Sequence, residues 1–235
     1  MPVTPRHLRP GTSIFHEQRF LFVLMGVMII IFLIQLFLGP EIIADWMVVP
    51  LKIENALVAI RSGNGDAGSW QALATMLTYG FLHMDLDHIV GNLLFLWIFA
   101  GLARRLIHEA WIPVLFAMTA IAGSAMHVFL NRGDVIPMLG ASGAVMGFEG
   151  LYLGLSTRGK LPDAFIWPLS RPISPVELLI VALVGVGFDY FNLMAGSGLN
   201  VAFGAHLGGF AMGLLLGTFV VPRPTVEGPM RQRWR

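Results

Sequence analysis

A run of nineteen mostly apolar residues, 20–38, with Gln35 its most polar member, constrains this chain more than any other feature. Within a bilayer every backbone N–H and C=O must be paired by protein, which leaves the α-helix and the closed β-barrel as spanning structures. About 20 apolar residues cross the hydrocarbon core as a helix. Further apolar runs follow the first, and together they read as six helices over residues 20–38, 86–103, 111–130, 140–156, 175–195 and 200–221. The composition agrees, with 56% hydrophobic and 12% charged residues, where soluble domains average about 45–50% and about 25%. These values exclude a disordered chain and disfavour a soluble globule. The expected class is an all-α polytopic membrane protein, with one domain over residues 20–221. A net charge of +1 offers nothing to nucleic acid. The chain has no cysteine, which removes disulfides, thiolate catalysis and cysteine zinc sites.

The first run exceeds the roughly 7–15 apolar residues of a cleaved signal, and Gly39-Pro40-Glu41 is no small-residue cleavage site. A retained span behind a cytoplasmic segment 1–19 is expected. With the N-terminus inside, 12 of the 15 Lys and Arg residues fall on the inner side and 3 on the outer, namely Lys52, Arg61 and Arg132. That bias favours both termini in the cytoplasm, and a compact chain of this kind suits a bacterial inner membrane. Residues 39–75 form a long outer loop containing Trp46, Leu51, Ile53, Leu57, Val58 and Trp70. It is too apolar for a solvated linker and predicts short interfacial helices. The tail 222–235, with three prolines and four arginines, predicts a disordered basic end that touches anionic lipid.

Spans two, four and six run in the same direction, so their early residues share one depth. His88 and Asn92 begin span two, Ser142 begins span four and His206 begins span six. Each has an ordinary structural role open to it. Ser142 can cap its helix, or attack from a helix start whose free N–H groups stabilise an oxyanion. His206 can bond a backbone carbonyl or serve Ser142 as a base. His88 and Asn92, four residues apart on one helix face, can hold helices together or donate to an oxyanion. Four-residue glycine spacings at Gly143/Gly147 and Gly150/Gly154, and at Gly204/Gly208 and Gly209/Gly213/Gly217, predict close approach of spans four and six. Glu149 lies on nearly the Ser142 face, about 10 Å deeper, where it is expected neutral or hydrogen-bonded. Ser124 and His127 of span three are expected to bond between helices, and Asp189 to sit at the membrane interface. His83-Met84-Asp85-Leu86-Asp87-His88 has metal-ligand residue types, but acids at a helix start suit the dipole without a metal, and no metal or cofactor is expected.

His83-x4-His88-x3-Asn92, Gly140-x-Ser142-Gly143 and Gly204-Ala205-His206 with its glycine stripe resemble the rhomboid intramembrane serine proteases, over roughly residues 70–220. The resemblance implies a six-span bundle with a membrane-associated first loop. It implies Ser142 as nucleophile and His206 as base, in a dyad without an acid. Asn92, His88 and the Ser142 N–H would form the oxyanion hole. His83, Gly140, Gly143 and Met146 would support the site, and span five with the loop 196–199 would gate it. Substrates would be single-span membrane proteins in the lipid bilayer, cut near the outer face. Three features depart from the family pattern: Trp70-Gln71 in place of a Trp-Arg pair, Met146 in place of an aromatic, and Glu149. A transporter using Glu149, His127 and His206, or a catalytically silent relative that binds membrane helices, are the competing readings. The polar cluster in the outer half disfavours the first, and the presence of both Ser142 and His206 the second.

Overall fold

The computed structural model describes residues 18–104, 106–159, 161, 173–196 and 201–222. The segment 1–17, the loop 197–200 and the tail from 223 onward lie outside the described residues, so the tail expected to be disordered and most of the expected cap loop go undescribed. The described chain is helical: α1 (Arg19–Leu38), α2 (Pro40–Ile43), α3 (Pro50–Arg61), α4 (Ala67–Thr78), α5 (Leu86–Arg104), α6 (Trp111–Leu130), α7 (Ser142–Ser156), α8 (Pro175–Ala195) and α9 (Phe203–Leu215). A π-helical turn, Leu216–Val220, extends α9. Among the described residues the one β pairing is an isolated bridge between Val48 and Met138.

Local signals set these limits. Pro50 and Pro175 open α3 and α8, where a missing N–H is harmless. Asp66 with Ser69 and Ser174 with Glu177 form reciprocal caps at the starts of α4 and α8. Gly196 ends α8 in the left-handed conformation.

Among the described residues five helices are long and apolar enough to cross a membrane: α1, α5, α6, α8 and α9 with its extension. The sixth expected span is α7, which begins at Ser142 and not at 140. Gly140 takes φ +121°, a conformation L side chains rarely adopt, and so cannot belong to the helix. Fifteen residues rise about 22 Å, short of a core about 30 Å thick. This is tolerable because α7 is sheathed in protein: every residue from Gly143 to Tyr152 is buried. The last span also starts later than expected, at Phe203.

Glycine makes that sheathing possible. A Cβ on Gly209 would run into the Gly143 carbonyl, and one on Gly213 into the Gly147 carbonyl. In return a Cβ on Gly150 would strike the Phe210 carbonyl, and one on Gly154 would lie 2.5 Å from the Leu214 carbonyl. The paired numbers rise together, so α7 and α9 are parallel and touch backbone to backbone. Against α6 the order reverses. Gly123 faces Ala205 and Gly204 faces His127, while Gly147 faces Thr119, so α6 runs antiparallel to both. α7 is thus wedged between α6 and α9.

The outer loop is mostly helix. α3 and α4 pack on each other and on α6. Ser124 Oγ donates to the Met76 carbonyl at 3.1 Å, the bond between helices expected of it. His127 instead meets Asn131 of its own helix end, with Asn131 Nδ2 3.4 Å from Nδ1. The loop is tied to the α6–α7 connection by the Val48–Met138 bridge, by Leu51 N–H to the Asp134 carbonyl and by Gly133 N–H to Glu54. α1 is fastened at both ends. Arg19 pairs with Glu109 at 3.0 Å, and Gln35 exchanges two bonds with the His83 backbone, at 2.8 and 3.2 Å.

Gly213→Val is expected to push α9 off α7 and lower stability by at least about 1–3 kcal/mol, because the obstacle is a carbonyl that cannot swing aside. Gly187→Ala on α8, with nothing within 4 Å of the new Cβ, should leave the thermal midpoint unchanged or slightly raised. Thermal unfolding in detergent micelles distinguishes the two.

Candidate active site

Ser142 is the first residue of α7. It is not a cap: Ala141 is the N-cap residue, and no side chain bonds the first-turn amides. Val145 N–H is the first to find a helical carbonyl, that of Ala141. Ser142 is half-buried, while Gly143 and Ala144 behind it are fully enclosed. An uncapped helix start therefore lies beside a serine hydroxyl, with its partial positive charge unanswered.

Gly140 locates the α5 residues. Its left-handed φ turns the chain into α7, and a Cβ there would come within 2.7 Å of His88 Nε2 and 3.9 Å of Asn92 Nδ2. Only glycine admits the His88 ring this close to the turn before Ser142. Asn92 is buried, and its Nδ2 has no hydrogen-bond partner. His88 Nδ1 accepts a long bond from Met84 N–H at 3.5 Å. That bond favours the tautomer with its proton on Nε2, the nitrogen facing Gly140. Two N–H donors thus converge on Gly140, two residues before Ser142.

The third side is α9. A Cβ on Gly143 would sit 3.1 Å from the Ala205 carbonyl, so the residue after Ser142 abuts the residue before His206. His88 and His206 are close enough to interact electrostatically. His206 is held by a partner that neither the residues nor the resemblance led us to expect. Asp189 Oδ2 of α8 lies 2.9 Å from His206 Nδ1. Asp189 is 6% exposed and is a buried partner of the histidine. The acid-free dyad that the resemblance implies departs from this geometry.

The supporting residues divide. His83 is fully buried, with its ring edge-on to His88 at 5.2 Å and 72°. Asp85 accepts the His88 N–H at 2.8 Å, so this segment is built as a helix start. Among the described residues no cluster of three or more His, Asp or Glu could share a metal. Met146 packs with Ala182 of α8 and Phe210 of α9. The ring set against His206 is that of Phe203, edge-on at 6.4 Å and 85°. Glu149 is buried, with Oε2 3.8 Å from the Cβ position of Gly185 on α8. Gln71 lines a cavity of about 220 Å³ with Asp45, Lys52 and Thr75, away from Ser142.

Comparison with known proteins decides the family. The model of the Rhomboid domain matches residues 70–223, more than half of the chain. The protein belongs to the rhomboid family. A mitochondrial rhomboid-like protein (RHOMBOID-like protein 12) of Arabidopsis thaliana is 30% identical over 156 residues, 60% of this chain and 44% of the relative. The rhomboid protease GlpG of Serratia proteamaculans is 24% identical over 193 residues, 82% of this chain and 59% of that protein. The mitochondrial Rhomboid protein 1 of Saccharomyces cerevisiae is 29% identical over 144 residues, 60% of this chain and 40% of the relative. The chain thus spans about half the length of these curated relatives. It is an integral membrane protein of a family that includes proteases.

Within this rhomboid three positions carry structure that the sequence did not announce. Tyr79 accepts the Gly140 N–H through its carbonyl at 3.0 Å, and its hydroxyl donates to the Ala120 carbonyl at 2.9 Å. It fastens the turn before Ser142 to α6. Gln35 holds the His83 backbone from α1, and its place as the most polar residue of that span was the available signal. For Asp189, seventeen residues before His206, no local pattern links the pair.

Burial, with His88 close by, pushes His83 down from the ordinary 6.5 to about 4. As pH falls, the unfolded chain therefore takes up this proton first. The stabilisation is complete above about pH 6.5 and declines from there toward about 4. Wild type is expected to lose more of its thermal midpoint between pH 7 and 5 than His83→Gln does. Parallel losses in the two proteins would show that His83 is not the group responsible.

Proposed function

We propose that this rhomboid is an intramembrane serine endopeptidase that cleaves single-span membrane proteins near the outer membrane face. The observation that supports the reading is the packing on either side of Ser142: Gly140 against the His88 and Asn92 side chains, and Gly143 against the α9 backbone next to His206.

The chemistry follows from the groups present. Ser142 Oγ attacks the scissile carbonyl carbon while His206 Nε2 takes the hydroxyl proton. The carbonyl oxygen becomes an oxyanion, facing Asn92 Nδ2, His88 Nε2–H and the N–H of Ser142 at an uncapped helix start. The C–N bond then breaks and the departing amine takes its proton from His206, leaving an acyl-enzyme. His206 next withdraws a proton from water, the hydroxide attacks the ester, and Ser142 leaves with the proton returned to it. Ser142, His88 and His206 are half-buried, whereas Asn92 is enclosed. This grading suits water entry from one end of the bundle.

The charge bias of the loops supports cytoplasmic termini, which puts the starts of α5, α7 and α9 in the outer half of the membrane. A helical substrate must unwind to present a peptide bond there, so small and helix-breaking residues near its outer end are the expected target. A bacterial inner membrane suits this arrangement, although mitochondrial proteins stand among the relatives.

A fluorophosphonate probe in detergent is expected to label wild type, and neither Ser142→Ala nor His206→Ala. Asn92→Ala should keep its fold and lose about 10²-fold in kcat on a single-span substrate. A folded wild type that neither labels nor cleaves, beside a working rhomboid control, would overturn the proposal.

A further inference from the structure

We infer that Asp189 is a positioning residue for His206, so that the base depends on α8 as well as on α9. The inference rests on the protease reading above.

The geometry has three parts. Asp189 Oδ2 and His206 Nδ1 are 2.9 Å apart, with the two side chains 9% and 15% exposed. A carboxylate can only accept at that distance, so Nδ1 carries the proton and Nε2 keeps its lone pair. Nε2 is the atom that must take the Ser142 proton, and a base oriented by a third group is a recurring device for activating a serine. When His206 becomes an imidazolium, the same contact becomes an ion pair in a site poor in water, where it counts for more than at a surface. Neighbouring contacts fix the ring further, with Phe203 edge-on from the preceding turn.

The second observation concerns where the carboxylate comes from. α8 is the least enclosed of the five long helices, with 22% of its apolar window buried. Its buried residues are Leu178, Ala182, Asp189 and Asn192, one stripe along a helix whose other residues are half-buried or exposed. A buried carboxylate is expensive to keep there unless it has a partner. Asn192 is a neighbour with a different attachment, since its Nδ2 donates to the Phe188 carbonyl of its own helix at 2.8 Å. Asp189 alone of these two polar residues reaches α9.

The experiment compares wild type, Ser142→Ala, Asp189→Asn and Asn192→Ala in detergent, below all four thermal midpoints. It reads the fluorophosphonate labelling rate, and kcat and KM on a single-span substrate. Labelling needs the nucleophile and its base but no docked helix. Asp189→Asn is expected to slow labelling at least about tenfold, to lower kcat by a similar factor and to leave KM within twofold. Asn192→Ala disturbs the same stripe of α8 without touching His206 and is expected to stay within threefold of wild type in labelling. If Asp189→Asn labels within twofold of wild type, the inference is overturned. It is also overturned if Asn192→Ala slows labelling as much, because the loss then belongs to α8 packing. Failure of the protease reading looks different: wild type and Ser142→Ala would then be equally unlabelled.

Discussion

Backbone contact between α7 and α9 is the constraint on which the remaining structure rests. Water gives no reason for two apolar helices to associate inside lipid, so their attraction comes from close packing. Glycine at 143, 150 and 154 on one helix, and at 209, 213 and 217 on the other, lets a carbonyl of the facing helix fill the space a side chain would take. The register is therefore mechanical: sliding one helix by a residue would set a Cβ against a carbonyl. That register brings Ala205 against Gly143 and so carries His206 to the level of Ser142. The same wedge explains why α7 can be both short and wholly enclosed.

The polar residues then fall into two groups by what holds them. His88 and Asn92 are placed by the α5 start and by the space at Gly140, which has no side chain to occupy it. Among the described residues the Asn92 Nδ2 has no hydrogen-bond partner, which is unusual for a buried amide. Asp189 and Gln35 do the opposite. Each is an isolated polar residue on an apolar helix, and each spends its hydrogen bonds on a different segment, His206 and the His83 backbone respectively. An unpartnered donor and committed polar groups thus lie within one region at the starts of α5, α7 and α9.

Much of this was legible in the sequence, because membrane segments carry a strong compositional signal and glycine spacing carries a geometric one. The helices at 111–130 and 175–195 begin and end where apolar content alone places them. The start of α7 was misjudged by two residues, because hydropathy does not register that Gly140 needs a left-handed turn. The outer loop was expected to hold short helices, and α2 to α4 supply them. The candidate residues His88, Asn92, Ser142 and His206 stood out because each is polar at one depth of parallel spans. Asp189 did not, since its meaning depends on how α8 lies across α9, and no periodicity within α8 encodes that. Likewise Met146 occupies the position where an aromatic was missed, yet the ring beside His206 comes from Phe203 within the histidine's own helix.

The enclosure of α7 separates Ser142 from the thickness of the surrounding membrane. Hydrophobic mismatch acts through lipid-facing surfaces, by tilting or locally thinning what surrounds them. α7 presents no such surface between Gly143 and Tyr152, so a thicker or thinner bilayer cannot press on the helix that carries Ser142. It can press on α8, which is largely bare, and on α1, whose ends are anchored to Glu109 and His83. Lipid composition therefore reaches the serine only second-hand, through the tilt of peripheral helices. The Asp189 contact is the point at which such a tilt is first felt by the histidine.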